Sequence, residues 1–277
     1  MKPKVMLVLL MIATAIIFVS CDSEIALEEP ITVTGIHNQT QHQVYETIAE
    51  AIENADEGDE IYVGPGTHNE ELTLNQSITL KGFGNPQIQA VTINSSNVHL
   101  EGFTIKTDEV GITITHNNTT FENIVIKNNT IDSKKHGVMR GNHGAYDQNL
   151  DMLTNLSIIG NKFLGGESGN ENQGIMLFTR LAGTTRIENN TFKDKLAGLN
   201  AGYDYKSESD PATAHYATGV VYIQHNVVLD DLPQDAPPQF AIWISGKEED
   251  VTMHTVGNRV LTQDVDVLTG KIPSSDE

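Results

Sequence analysis

The chain contains a single cysteine, Cys21, so no disulfide can form within it. It is also short of bases. Against 37 Asp and Glu stand 17 Lys and Arg, a formal charge of −20, and no Lys or Arg occurs between Lys4 and Lys81. That balance excludes a role on the phosphate backbone of nucleic acid, which needs a positive surface. Helical periodicity is missing outside one short stretch, which argues against a barrel of alternating strands and helices. The long apolar run at 5–20, VMLVLLMIATAIIFVS, is short for a membrane span.

That run reads as an export leader. Lys2 and Lys4 precede it and Cys21 follows it. The FVSC ending is similar to a bacterial lipoprotein signal. The resemblance implies that Cys21 becomes the lipidated first residue of an exported, cell-envelope or outer-surface protein. An ordinary signal peptide cut near Cys21 is the alternative. Removing residues 1–20 takes away Lys2 and Lys4 and moves the charge from −20 to −22. Residues 21–43 are acidic and weakly patterned and read as a tether. The body runs over 44–262, and a polar tail follows at 263–277.

The body opens with one helical pattern. In YETIAEAIENADEGDE, Ile48, Ile52 and Ala55 share a face, Tyr45 and Ala51 lie beside it, and acids cover the rest. This predicts a helix over 45–55, stopped by Gly58. Alternation follows, with an additional first turn of strands around 60–74.

Beyond it the chain repeats itself. LKGF (80–83), LEGFTI (100–105), IKNNTI (126–131), IIGNKF (158–163), IENNTF (187–192), IQHNVV (223–228) and TVGNRV (255–260) align. Their third position holds Gly82, Gly102, Asn128, Gly160, Asn189, His225 and Gly257. Asn129, Asn161, Asn190, Asn226 and Asn258 come next in the later copies. Gly or Asn at one site predicts a corner with left-handed dihedrals. The Asn that follows is expected to point inward and bond the same corner in the coils above and below. Ile131, Phe163, Phe192, Val228 and Val260 fall at a common apolar position. Fixed short strands with variable loops are the signature of a solenoid. Seven corners, each about 4.8 Å apart, would span roughly 30 Å.

With those residues in place the pattern resembles the right-handed parallel β-helix of the pectin-lyase-like superfamily. The stretch ETIAEAIENADEGDEIYVGPGTHNEELTLNQSITLKGFG is similar to the opening of pectinesterase-like and NosD-like members, with His68 where Tyr is common. The resemblance implies an all-β, single-stranded, right-handed parallel β-helix with a short N-terminal capping helix. A partner protein or second chain is a candidate cover for the C-terminal coil.

Intervals longer than a bare coil imply insertions at 132–155, 164–185, 193–220 and 229–250. Loops on a rigid scaffold are the usual seat of function. Twelve of the 17 bases lie between Lys81 and Lys206, which suits a central groove for a uronic-acid polymer. A lyase needs a base, a cation for the enolate and an acid for the leaving oxygen. Lys134, Lys135, Arg140 and Arg180 are candidates for base or charge stabiliser, with His136 and Tyr203 for proton transfer. Tyr146, Tyr205 and Lys206 are candidates for substrate contact. Hydrolysis would need paired carboxylates, for which Asp147, Asp151 and Asp204 carry no diagnostic spacing. SDPATAH (209–215) does not match an epimerase pattern cleanly. His136, His143, His215 and His225 make no close metal motif, so no metal site is expected. The NosD resemblance points to copper, but no Cys or Met ligand array accompanies it. Oxygen-rich loops at 229–235 and 262–267 leave Ca²⁺ open. The sequons at Asn118, Asn128 and Asn189 read as corner composition. The expected function is polysaccharide binding or processing. The alternative is a non-catalytic scaffold that binds glycans or proteins at the envelope.

Overall fold

The computed structural model describes residues 33–116, 119–141, 152–165, 173–193, 197–201, 217–229, 242–244 and 246–260. Cys21, the leader, the tail beyond 260, His143, Tyr146, Asp147, Asp151, Tyr203, Asp204, Tyr205, Lys206 and His215 lie outside them. Among the described residues the strands form three sheets, here called A, B and C. One circuit of the chain illustrates the path. Val125–Lys127 lies in sheet A, Thr130–Ser133 in sheet B and Val138–Arg140 in sheet C. The next circuit lays Ser157–Ile159, Lys162–Leu164 and Gln173–Leu177 alongside, each pair parallel. An all-β chain that visits three parallel sheets in rotation fits a β-helix. The first turn expected near 60–74 is there: Glu60–Val63 joins sheet A, Thr67 bridges to Gln87, and Glu71–Leu74 joins sheet C.

Alternation makes the core. Leu80, Leu100, Ile126, Ile158, Ile187 and Ile223 stack in register down sheet A and are fully buried. Sheet B contributes Ile131, Phe163, Phe192 and Val228, also in register, with the two phenylalanine rings parallel at 4.8 Å. Because most strands are short, each coil buries its inward side chains by lying on the next.

The connection from sheet A to sheet B is the most regular feature. From Gly102–Phe103 onward it is always two residues: Asn128–Asn129, Gly160–Asn161, Asn189–Asn190, His225–Asn226 and Gly257–Asn258. The first of each pair is left-handed, with φ between 53° at Asn128 and 83° at Gly102. Asparagine and glycine tolerate that region best. At Gly160 a Cβ would also come within 2.5 Å of the Asn128 amide oxygen. The second residue carries the ladder. The Asn129 amide nitrogen donates to Leu100 O at 3.1 Å and to Asn161 Oδ1 at 3.1 Å, while Asn161 Oδ1 also accepts the Asn129 backbone N–H at 2.9 Å. The same three bonds recur between Asn161 and Asn190 and between Asn190 and Asn226. Asn226 and Asn258 continue them.

A second ladder was not read from the sequence. Asn97, Asn123 and Asn155 all have φ near 55–57° and are joined by amide bonds of 2.8 and 3.1 Å. Its signal is legible in hindsight: each Asn precedes an apolar–x–apolar triplet, in NVHL, NIVI and NLSI. Gly82 departs from the expected corner. It ends the strand Thr79–Gly82, and the left-handed residues are Gly84 and Asn85, because this connection runs over four residues to Gln87.

The N-terminal end differs from expectation in two ways. The sequence pattern puts residues 36–43 in the tether and starts the helix at 45. Instead Ile36–Asn38 pairs antiparallel with both Gln43–Tyr45 and Glu60–Val63. The helix is shorter than 45–55, spanning Ile48–Glu53, because Thr47 caps it by accepting the Glu50 N–H. Ile48, Ala51 and Ile52 join the core. The sequence hid the first strand because its fixing bonds are long-range. Asp59, only 3% exposed, accepts from Asn38 Nδ2 and Gln41 Nε2, each at 2.7 Å, and from the Asp56 N–H. Burial raises its pKa, but these donors outweigh burial and hold it below the ordinary carboxylate value.

Two outcomes are expected. Asn161→Ala removes the side-chain partner of the Asn129 backbone N–H and of the Ile126 carbonyl and costs about 2–4 kcal/mol, at roughly 1–3 kcal/mol per orphaned group; urea unfolding measures it. Asn38→Ala removes a donor to Asp59 and costs about 1–2 kcal/mol near neutral pH. Since the folded pKa is depressed, that contribution is present above the ordinary carboxylate pKa and disappears as pH falls through the folded value. The gap between variant and parent in urea unfolding should therefore close in acid.

Candidate functional site

Variation in loop length locates the site. The A-to-B corner is invariant in length over six coils, but the other two connections are not. Between sheets B and C, Lys162–Leu164 and Gln173–Leu177 are separated by 165–172, and Val227–Val228 and Ile242–Ile244 by 229–241. Between sheets C and A, Val138–Arg140 is separated from the next strand by 141–151, and Ala197–Ala201 by 202–216. Both variable connections border sheet C. Among the described strands, sheet C is therefore the sheet whose incoming and outgoing connections both vary in length. The insertions are smaller than expected because each expected span also contains a strand of sheet C, whose short apolar–x–apolar pattern carries no Asn corner to mark it.

The outward column of sheet C follows from register. Thr73, Thr92, Thr113, Met139 and Met176 lie side by side on successive coils, and Asn200 and Trp243 hold the next two register positions. Thr73 is exposed, Thr92, Thr113 and Met139 are half-buried, and Met176 is 3% exposed. Asn75, Asn94 and Thr115 follow just past the strand ends, with the Asn94 amide donating to Asn75 Oδ1 at 3.0 Å. Sequence reasoning missed this column, because nothing in the repeat says which sheet the loops will flank.

The described residues of the expected basic groove occupy different positions, while Tyr146, Tyr203, Tyr205 and Lys206 lie outside the described residues. Lys134 and Lys135 sit on the B-to-C border, but each reaches back one coil, to Asp108 at 3.2 Å and to Glu109 at 2.5 Å. Lys106 reaches forward to Asp132 at 3.0 Å. Lys106-Thr107-Asp108-Glu109 thus faces Asp132-Ser133-Lys134-Lys135 with opposite charges across the coils. The hollow beside them, about 490 Å³, is lined by Gln89, Lys106, Thr107, Asp108, Asp132 and Lys134. His136 is 5% exposed and its Nδ1 accepts the Gln173 N–H at 3.3 Å. Arg140 has no exposed surface. It takes the inward place between Ile114 and Leu177, donates to Thr119 O at 2.6 Å and lies 5.1 Å from the Phe121 ring centre. Strand alternation turns Arg140 inward, which removes it from any surface groove. Arg180 begins a strand beside Met152 on the C-to-A border. Lys134, Lys135 and Arg180 therefore flank sheet C from opposite sides, and His136 and Arg140 do not join them at a surface.

The outer face of sheet A holds other polar groups. Lys127 pairs with Glu101 at 3.5 Å, and Asn128 donates to the same carboxylate at 2.9 Å. Burial raises the Glu101 pKa, but the Asn128 bond with Lys127 and His99 brings it below the usual value. Arg186, Tyr222 and His254 stack on successive coils, the guanidinium 4.4 Å from the Tyr222 ring and the two rings 4.7 Å apart. Among the described residues no group of three or more His, Cys, Asp or Glu is placed to hold a metal ion.

Lys134→Glu sets a like charge beside Asp108 and should cost roughly 1 kcal/mol or less, as exposed pairs do. Asp108→Lys in the same chain should recover the loss, read by thermal unfolding at low salt.

Comparison with known proteins gives partial likenesses. No protein-family model matches the chain. A segment is 34% identical over 110 residues to a cell surface glycoprotein of Methanothermus fervidus. That match spans 35% of this chain and 17% of the relative, so the chain corresponds to a small part of that protein's length. Among solved structures, a pectin methylesterase in complex with a hexasaccharide aligns over 86% of this chain and 91% of its own, with a TM-score of 0.41 and 11% identity.

Proposed function

We propose that the chain is an exported cell-envelope protein that engages polysaccharide along the outer face of sheet C. The supporting observation is that length variation falls on both borders of that sheet while the A-to-B corner keeps two residues over six coils from Gly102–Phe103 onward. A rigid face of stacked parallel strands, whose connections on both borders vary in length, is a surface long enough for an extended chain, and function is usually seated where such variation is tolerated. On this reading the scaffold is a right-handed parallel β-helix of the pectin-lyase-like kind, and the helix at Ile48–Glu53 covers its first coil. Export rests on the leader and on Cys21 as a lipid anchor. The relative named as a cell surface glycoprotein agrees with that location.

Binding, not elimination, is the activity proposed. Lys134 and Lys135 hold carboxylates, His136 is bonded to the Gln173 N–H, and Arg140 is enclosed. A uronic-acid lyase built on them would first have to break those contacts, at a cost to the coil stacking. The test pairs two readouts. The mature protein is run through affinity gels containing alginate, pectate, pectin, ulvan, glycosaminoglycans or neutral glycans, and the same polymers are assayed for unsaturated uronate by ultraviolet absorbance, with and without Ca²⁺. Retardation without new absorbance is expected. New absorbance would establish a lyase. Free migration in every gel would discard the polysaccharide reading and favour a protein-binding scaffold.

A further inference from the structure

We infer that the glycan is held by its end, in a hollow where the helix Ile48–Glu53 meets sheet C, an inference that rests on the outer face of that sheet being the binding surface. Glu71–Leu74 is the terminal strand of sheet C, so no further coil extends the face beyond it. The helix packs there instead. Between the two lies a hollow of about 460 Å³, lined by Ala49, Ile52 and Glu53 of the helix and by Glu71, Thr73, Asn75 and Gln76. Sites for small ligands usually enclose roughly 300–1,000 Å³. Thr73 also opens the outward column, with Thr92 and Thr113 in register on the next two coils. A chain lying over Thr113 and Thr92 therefore arrives at Thr73 and Glu71.

The polar groups of this hollow are not engaged with one another. Among the described residues no donor or cation meets the Glu53 or Glu71 carboxylate, and no partner engages the Thr73 hydroxyl. Asn75 Oδ1 accepts from the Asn94 amide at 3.0 Å, which leaves the Asn75 N–H groups to donate. Gln76 Nε2 donates to Ile52 O and Ala55 O, each at 2.7 Å, and so fastens the helix to the sheet. The hollow thus holds its shape before any ligand arrives. The hollow at the B-to-C border differs, since Lys106 and Lys134 there are paired with Asp132 and Asp108. Ionised carboxylates only accept, and their bonds from hydroxyls are stronger than neutral ones. No Lys or Arg occurs between Lys4 and Lys81, so the first coil offers nothing to pair with an acidic group on the ligand. Two carboxylates, a hydroxyl and an amide around the apolar Ala49 and Ile52 match a sugar unit with free hydroxyls. A terminal unit fits better than an internal one, because it keeps an extra hydroxyl and needs a path out on one side only.

Calorimetry on the whole mature protein tests this, with short and long linear chains of β-glucan, mannan, xylan, galactan and polygalacturonate. For at least one of the first four, one protein should bind per chain whatever the chain length. Glu53→Gln and Glu71→Gln should each weaken that binding about fivefold, the gap between a charge-assisted and a neutral hydrogen bond. Glu122→Gln, an equal loss of charge at an exposed position on sheet A, should leave it unchanged. Several proteins on each long chain, in proportion to its length, would overturn the inference while leaving polysaccharide binding along the face intact. End binding that neither hollow variant weakens, or that is confined to polygalacturonate, would overturn it as well. Absence of binding to every chain would remove the proposed function itself.

Discussion

The structure depends on one hydrogen-bonded corner. From Asn128–Asn129 to His225–Asn226 the chain turns between sheets A and B in two residues, the first left-handed and the second a buried amide. A turn this tight leaves backbone groups facing the interior, where an unpaired polar atom is costly. The asparagine column answers that cost by bonding each corner to its neighbours on both sides. Because every amide in the column is both donor and acceptor, coils cannot slip by a residue without breaking the series. Register in sheets A and B follows, and with it the stacks of Leu100, Ile126 and Ile158 and of Phe163 and Phe192.

Rigidity on one edge frees the other two. Since the A-to-B corner sets the register, the connections around sheet C need not help align the coils and can vary in length. Function is expected where the scaffold tolerates variation. The hydroxyl column on sheet C is built on strands whose neighbours are fixed elsewhere, so its spacing is preserved whatever the insertions do.

Charge has a similar division. Lys106, Lys127, Lys134 and Lys135 each meet an acid on a neighbouring coil. Individually such pairs contribute little. Repeated up the stack, they oppose the self-repulsion of an acidic chain and disfavour misregistered coils. The clustering of bases in the middle of the sequence looked like a binding groove because partners 26 residues away, such as Asp108 for Lys134, are distant along the chain and adjacent across coils. Arg140 misled for another reason: alternation places it inward, but a basic residue in a short strand is ordinarily read as outward-facing.

The repeat by itself determined an all-β chain of stacked parallel strands, the left-handed corners at Asn128, Gly160, Asn189, His225 and Gly257, and the inward asparagines. Each depends on a local backbone preference repeated at a recognisable interval. Tertiary structure alone decided three things. It decided which sheet the insertions border, since sequence intervals give loop lengths but not the faces between which they run. It decided that Lys134 and Lys135 are bridges between coils, since their partners are set by stacking. It also decided that residues 36–43 pack with the body, since Asn38 and Gln41 are held by Asp59, a contact no local pattern announces.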